Sequence, residues 1–134
     1  MYLFVDPFLR AQAGDDQDSV RLLAIENSAK LAKVLDVESN KAHVIPLAVA
    51  CAEDKSWRVR NNVAKEFHEL AIAVGKASTV ESLLAAFVRL LQDPEAEVRS
   101  SAAKNAHRFC DVVGPATFVE VIVPCLTDLA GDVA

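Results

Sequence analysis

The feature that most constrains the fold of this chain is a motif that returns every 39 residues. An aspartate, four further residues and a Val-Arg pair occur three times within the 134 residues, and no gap is needed to keep the spacing. The three copies begin at Asp15, Asp54 and Asp93. Because repeats of about 40 residues are typical of stacked helical hairpins, this period predicts a two-helix solenoid.

Other positions keep the same phase, which strengthens the case for tandem repetition. An apolar column and a proline column both follow the period: Leu31, Leu70 and Phe109 form the first, and Pro7, Pro46 and Pro124 form the second, with Ala85 in the remaining slot. Asp132 falls where the aspartate of a fourth motif would stand. Coincidences of this number at one offset indicate repeated units of one design.

The segment after each Val-Arg pair has the apolar spacing of a helix, which we call helix B. In the second unit the apolar residues recur at steps of three or four and draw one stripe along a helix: Val59, Val63, Phe67, Leu70 and Val74. Glycine is a common helix terminator, so this helix is expected to end near Gly75, and its counterpart near Gly114.

A shorter apolar segment precedes each motif aspartate and is predicted to form helix A. These segments span about 2–13, 40–52, 79–91 and 116–130. Proline bends a helix, so the return of Pro46 and Pro124 at the repeat period predicts a bend that belongs to the architecture. The fold class is therefore all-α, an α-solenoid of about three and a half hairpins containing seven helices.

The repeat boundaries follow from this scheme. The units cover approximately 1–36, 37–75, 76–114 and a partial unit at 115–134. The last helix A lacks a helix B partner, so we expect a segment of a longer array. Apolar ends left exposed in this way favour end-to-end self-association of the chain.

The motif residues predict how neighbouring units are joined. Each aspartate stands at the turn between helices A and B, where its carboxylate can cap the N–H groups that open helix B. Each arginine lies on the first turn of helix B and is expected to reach an aspartate of its own or the neighbouring turn. The predicted ladder comprises Asp54, Asp93, Arg21, Arg60 and Arg99. The alternative is that these arginines are solvated and contribute little.

Composition and charge narrow the classes of function. The chain is 52% apolar and 25% charged, as expected of an ordered protein, and its net charge of −5 disfavours nucleic acid and anionic membranes as partners. The longest apolar run, Val44–Ala52, is too short to span a membrane. The start of the chain has no basic region, so no signal peptide is expected. Three cysteines among apolar residues suggest reduced, buried thiols and a cytoplasmic or nuclear location.

No constellation of catalytic or metal-binding residues stands out. His107 and Cys110 could share one ligand, but a zinc site needs four and no second pair completes it. The acidic cluster at Asp15, Asp16 and Asp18 lacks the spacing and the closing glutamate of a calcium loop. Gly-rich phosphate loops and nucleophile motifs are absent from the sequence. We therefore expect no enzyme activity, no metal and no cofactor.

Trp57 is the one turn residue that points to recognition on its own. Its counterparts in the other two units are Asp18 and Ala96, so the position is not an apolar core column. A tryptophan on a turn beside Arg58 suits a contact hot spot for a protein partner. The alternative is that the ring folds back onto its own helix.

Several stretches resemble a known family. DDQDSVRLLA, AEDKSWRVRNNVA, DPEAEVRSSAA, VIPLAVACAEDKSWRVR and FVEVIVPCLTDLAGD are similar, in order and spacing, to the scaffolding A subunits of protein phosphatase 2A, which are built from HEAT repeats. The resemblance runs from about Val5 to Asp132, and DKSWRVR is its most specific part. The surfaces of the A helices and residues 37–43 match less well.

The resemblance implies a scaffold that binds other proteins and performs no chemistry. In that family the turns within repeats hold a regulatory B-type subunit, and the catalytic subunit docks on carboxy-terminal repeats, which we expect this chain to lack. By position, the residues that would contact the B-type subunit are Asp15, Gln17, Asp18, Lys55, Ser56, Trp57, Arg58, Pro94, Glu95 and Glu97. Two alternatives stay open: another HEAT or armadillo adaptor, such as a transport receptor segment, and a HEAT-like DNA glycosylase, which the acidic charge disfavours.

Overall fold

The protein is a stack of helical hairpins. The computed structural model describes residues 5–133, and no strand occurs within that range. The helices are α1 (Val5–Ala13), α2 (Asp18–Ala32), α3 (Val37–Ser39), α4 (Ile45–Cys51), α5 (Trp57–Val74), α6 (Lys76–Ser78), α7 (Leu84–Leu91), α8 (Ala96–Lys104), α9 (Ala106–Val113), α10 (Pro115–Thr117) and α11 (Val123–Val133). The predicted all-α solenoid is confirmed.

The helices form two layers. Helix B of each repeat packs along helix B of the next, since α2 lies against α5 and α5 lies against α8 and α9. Helix A is α1 in the first repeat, α3 with α4 in the second, α6 with α7 in the third, and α10 with α11 at the end. The A layer contacts the B layer throughout, and the core lies between the two.

Each helix A after the first contains one wide turn at the same repeat position. The backbone N–H of Ile45 bonds the carbonyl oxygen of Asn40, five residues earlier, in place of the usual four. The same bond recurs from Leu84 to Thr79 and from Val123 to Phe118. The unit with Ala85 in the proline slot has this turn as well, so proline is not required for it.

The A helices begin earlier than the sequence predicted. They start at Val37, Lys76 and Pro115, whereas the apolar pattern indicated about 40, 79 and 116. The extra turn buries no apolar side chain in the second and third repeats, so hydrophobic periodicity does not reveal it. In the second repeat its start is set by Asp36, whose carboxylate accepts a hydrogen bond of 2.7 Å from the Ser39 N–H.

Two glycines end helix B where expected. Gly75 and Gly114 have φ angles of 87° and 91°, with extended ψ angles that only glycine adopts readily. The N–H of Gly75 bonds the Ala71 carbonyl at 3.0 Å, and the N–H of Gly114 bonds that of Cys110 at 2.9 Å. The chain then reverses directly into the next helix A.

Helix B of the third repeat is interrupted, which the sequence analysis did not predict. The interruption is Asn105, whose side-chain Nδ2 donates to the Ser101 carbonyl at 3.0 Å. Its backbone N–H bonds the Ala102 carbonyl three residues back. Asparagine competes in this way for carbonyls of the preceding turn, so the helix divides into α8 and α9.

Three phenylalanines form the centre of the core. Phe87 stacks on Phe109 with centroids 4.3 Å apart, and Phe67 meets both rings edge-on at 6.2 and 6.3 Å. All three side chains are fully buried. Because Phe67 and Phe109 come from helices B of consecutive repeats and Phe87 from a helix A, the cluster joins both layers and two repeats.

Buried polar side chains close the ends of the B helices. Asn40 Nδ2 donates to the Ala32 carbonyl at 3.1 Å, and Thr79 Oγ1 donates to the Ala71 carbonyl at 3.2 Å. The last carbonyls of a helix lack intrahelical partners, so the Asn40 bond satisfies the carbonyl of Ala32. The Thr79 bond is a second bond to the Ala71 carbonyl, which also accepts from the Gly75 N–H. Positions 40 and 79 are one repeat apart, which makes the bond part of the repeat design.

A ladder of buried ion pairs holds the turns in register. Arg21 donates to both carboxylate oxygens of Asp54, at 3.0 Å from Nε and 3.1 Å from a terminal nitrogen. Arg60 does the same to Asp93, at 2.8 and 3.2 Å. Each arginine therefore reaches the aspartate of the following turn in a two-pronged arrangement that fixes both distance and angle.

The same arginines also bind the turn of their own repeat. In each case a terminal guanidinium nitrogen donates to the carbonyl of the motif aspartate in the same repeat. Arg21 donates to Asp15 at 2.8 Å, Arg60 to Asp54 at 2.6 Å, and Arg99 to Asp93 at 2.6 Å. The position expected for the next carboxylate partner of Arg99 is Asp132, whose side chain lies outside the described residues. Each guanidinium thus ties its own turn to its helix.

The motif aspartates cap the turn and not helix B itself, which corrects the sequence prediction. One carboxylate oxygen accepts from the N–H two residues on: from Gln17 for Asp15 and from Ser56 for Asp54, each at 2.9 Å. The N–H that donates belongs to the residue just before each helix. The aspartate lies two positions before that residue, so its carboxylate does not contact the N–H groups of the helix itself. Asp93 makes the equivalent bond to Glu95.

Breaking one rung of the ladder should cost much more than breaking an exposed pair. We expect Arg60→Ala to lower the free energy of unfolding by about 3 kcal/mol, because it leaves the buried Asp93 carboxylate unpaired. The matched control is Arg89→Ala, whose partner Glu53 lies 2.9 Å away with both side chains more than half exposed, and which should cost under about 1 kcal/mol. Urea denaturation followed by circular dichroism measures both, and equal losses would contradict the ladder.

Gly75 should resist replacement for a backbone reason alone. Nothing lies within 4 Å of a Cβ placed on Gly75, so Gly75→Ala introduces no clash. The φ angle of 87° with an extended ψ should nevertheless cost about 1–3 kcal/mol in an alanine. Thermal unfolding of the variant checks this, and an unchanged midpoint would show that the turn relaxes freely.

Candidate functional site

The residues predicted to contact a partner all lie at the turns between helices A and B. We call this surface the turn ridge and define it as residues 14–18, 52–58 and 92–97. The ladder joins its three turns in sequence. Gln17, Lys55, Arg58, Pro94, Glu95 and Glu97 are exposed, and Asp15, Asp18, Ser56 and Trp57 are half-buried.

The first two turns of the ridge are bonded to one another. Ser56 Oγ donates to Asp18 Oδ2 at 3.0 Å, and an Arg58 guanidinium nitrogen lies 3.9 Å from the same oxygen. Asp18 is thus committed to a contact within the solenoid, which lowers its value as a partner contact. Glu97, in contrast, forms no ion pair with any residue that the structure describes.

Trp57 is partly folded back onto the solenoid and partly accessible, and its role as a partner contact stays a prediction. Its ring packs against the core and is half-buried, so part of it does fold back onto the solenoid. The guanidinium of Arg58 lies over the ring at 5.8 Å from its centre, with 66% of the Arg58 side chain exposed. The pair presents part of an aromatic ring and an exposed cation at the edge of the turn ridge.

A groove opens beside Trp57 between the B helices. It has a volume of about 260 Å³, and we call it the Trp57 groove. Its lining residues are Leu22, Trp57, Arg58, Asn61, Asn62, Lys65 and Glu97. Four of these residues were not predicted from the sequence: Leu22, Asn61, Asn62 and Lys65. Two consecutive asparagines inside helix B were the available signal, since asparagine is a poor helix former.

A second, strongly charged cleft lies further along the same helices. It has a volume of about 380 Å³ and is lined by Glu26, Ala29, Lys30, Lys33, Lys65, Glu66, His68 and Glu69. Lys33 pairs with Glu69 at 3.3 Å. Burial, followed by the negative charge of Glu26, raises the pKa of Glu66. The cleft mixes both signs of charge and selects no evident class of ligand.

The two histidines that share a repeat position have different environments. His68 is buried, and its Nε2 lies 2.9 Å from a guanidinium nitrogen of Arg108 in the next repeat. His107 is exposed. The two positions are one repeat apart, yet only His68 is buried and bonded to the next repeat.

The described residues contain no group of three histidine, cysteine, aspartate or glutamate side chains that could hold a metal ion. The three cysteines are unpaired: Cys51 and Cys125 are buried as expected, whereas Cys110 is only half-buried. Burial raises the pKa of the Cys51 thiol from 9.0 to about 11, so it stays protonated and unreactive at neutral pH. None of the helices that the structure describes is long and apolar enough to cross a membrane.

Comparison with known proteins gives a family match for part of the chain. Residues 76–134 match the family described as PPP2R1A-like HEAT repeat. The regulatory A subunit of protein phosphatase PP2A from Schizosaccharomyces pombe (strain 972 / ATCC 24843) is 42% identical over 71 residues. That match covers 52% of this chain but only 12% of the relative, so the chain spans a small part of the relative's length.

The structure and the comparisons agree on architecture and relationship. The hairpins recur at the period read from the sequence, and the family match covers the third repeat together with the partial fourth. The chain is an α-solenoid whose third and partial fourth repeats match the PPP2R1A-like HEAT repeat family, and about half of it is similar to the regulatory A subunit of protein phosphatase PP2A.

Proposed function

We propose that this chain is a non-catalytic segment of a scaffold for a serine/threonine phosphatase complex, and that its turn ridge binds a regulatory B-type subunit. The observation that carries the proposal is the Trp57–Arg58 pair, an aromatic ring and an exposed cation that stand together on the turn ridge. Tryptophan and arginine are among the side chains most enriched at the positions that dominate binding energy in protein interfaces.

The rigidity of the turn ridge supports this function. A partner that contacts several turns gains affinity only if the turns already stand at the correct spacing, because ordering them on binding would cost free energy. The bidentate pairs Arg21–Asp54 and Arg60–Asp93 supply that spacing in the free chain. The ridge therefore suits a folded partner that spans more than one repeat.

The proposal extends to the other parts of the complex and to its location. The catalytic subunit would be held by other repeats of the scaffold, and this chain would supply no reacting group. Reduced cysteines fit the cytosol or the nucleus, where thiols persist. Another HEAT or armadillo adaptor, such as a transport receptor segment, is the alternative, and binding of phosphatase subunits separates the two.

The turn ridge should lose a B-type subunit when its hot spot is removed. In pull-downs with purified B-type subunits, we expect Trp57→Ala to weaken capture by about 30-fold, equivalent to about 2 kcal/mol. Arg58→Glu, which changes an exposed side chain and no core contact, should weaken capture by at least about tenfold, a loss of about 1.4 kcal/mol. The matched control is Lys41→Glu, an exposed change on helix A, away from the ridge.

Circular dichroism must show unchanged helicity in each variant, because the Trp57 ring also packs on the core. Undiminished capture by Arg58→Glu would remove the turn ridge from the interface. Failure of the unaltered chain to capture any B-type subunit, with intact helicity, would refute the partner assignment and favour another adaptor.

A further inference from the structure

We infer that the Trp57 groove binds an extended, acidic segment of the partner, holding its main chain with Asn61 and Asn62 and a carboxylate with Arg58 and Lys65. This inference deepens the proposed function and rests on it for the identity of the partner. It adds a second mode of recognition to the ridge, in which a linear segment enters the groove beside the folded contact surface.

The groove offers an apolar wall that only stacked repeats can make. Leu22 comes from helix B of the first repeat, and Trp57 comes from helix B of the second. Both side chains are half-buried and leave apolar surface facing the groove. An aliphatic side chain of a bound segment would cover this surface and be removed from water, which favours binding.

The asparagines present one donor and one acceptor to whatever fills the groove. Asn61 Oδ1 accepts a hydrogen bond of 2.6 Å from Ser101 Oγ, which orients the amide and leaves its Nδ2 without a partner among the described residues. Asn62 Nδ2 donates to the Leu22 carbonyl at 3.4 Å, and Asn62 Oδ1 has no hydrogen-bond partner among the described residues. Neither of these two free atoms is buried, so both reach solvent.

This arrangement matches the main chain of an extended peptide. Every residue of such a peptide carries an unpaired N–H and C=O, and a side-chain amide can satisfy one of each kind regardless of sequence. Asn61 stands four residues after Trp57 and so lies on the same face of α5, one turn further from the ridge. A segment held there would place its alternate side chains toward Leu22 and Trp57.

The charge of the groove selects an acidic segment. Arg58 and Lys65 line it on the cationic side, against Glu97 alone on the acidic side. Lys65 is exposed and forms no ion pair with any described residue, and the carboxylate oxygen that faces Arg58 lies 3.9 Å away. In a chain of net charge −5, Lys65 has no ion pair with a described residue and Arg58 has only a long one with Asp18, so the positive charge beside the apolar wall favours carboxylates.

A peptide probe tests the groove directly. The probe is a short fluorescein-labelled peptide of alternating leucine and aspartate, measured by fluorescence anisotropy against the full chain. We expect saturable binding that Asn61→Ala weakens by at least about fivefold and Lys65→Glu by at least about tenfold. A matched peptide with lysine in place of aspartate, and one with N-methylated backbone amides, should both bind at least about tenfold more weakly.

Two matched variants separate recognition from structure. Ser101→Ala removes the same hydrogen bond between repeats as Asn61→Ala but leaves the Asn61 amide in the groove, so it should weaken probe binding by less than about threefold. Lys41→Glu makes the same charge change as Lys65→Glu on an exposed site of helix A and should leave probe binding unchanged. Equal loss in Ser101→Ala and Asn61→Ala would overturn a direct role for Asn61.

The same variants distinguish this inference from the proposed function. If Arg58→Glu abolishes capture of a B-type subunit while Asn61→Ala and Lys65→Glu leave both capture and probe binding unchanged, the ridge function stands and the groove inference falls. If no B-type subunit is captured but the acidic probe binds in an Asn61-dependent manner, the groove holds and its partner is another protein. Binding of the lysine peptide as tightly as the aspartate peptide would refute the acidic specificity.

Discussion

The interaction on which this structure depends most is the bidentate pair between an arginine and the aspartate of the following repeat. A single hairpin exposes apolar surface on both sides and must stack to bury it, yet apolar surfaces alone tolerate sliding. The two parallel hydrogen bonds between Arg60 and Asp93, of 2.8 and 3.2 Å, prevent such sliding. Since the pairs lie at the turns, they fix the spacing of the repeats at the turn ridge itself.

The ladder is better understood as a source of specificity than of net stability. Removing an arginine and a carboxylate from water is costly, and a buried pair repays that cost only when its remaining hydrogen-bonding groups are also satisfied. Here the third guanidinium nitrogen binds a carbonyl of its own turn, and one aspartate oxygen also accepts from a backbone N–H. The pairs therefore meet the condition that makes burial tolerable and gain a defined spacing between repeats.

How much the sequence could predict depended on whether a feature recurs. The period of 39 identified the turns, the helix ends at Gly75 and Gly114, and the arginine and aspartate positions, because a column repeated three times reports an environment that three units share. Features that occur in a single repeat form no recurring column and could not be predicted in this way. The break at Asn105 arises from one side chain bonding its own helix, and the partner of His68 is an arginine of the next repeat that has no counterpart in the repeat motif. The Trp57 groove was hidden for the same reason, since Leu22 and Asn61 meet only after stacking.

The wide turns in the A helices have a consequence for how each helix serves its neighbours. One additional residue within a turn rotates all later side chains by about 100° relative to an uninterrupted helix. The first part of helix A can thus direct Asn40 or Thr79 toward the end of the preceding helix B, while the part beyond faces the helix B of its own repeat. A straight helix has only one such stripe. Each A helix that contains a wide turn can therefore contact two successive B helices, and the solenoid can lengthen by whole units without a separate linker.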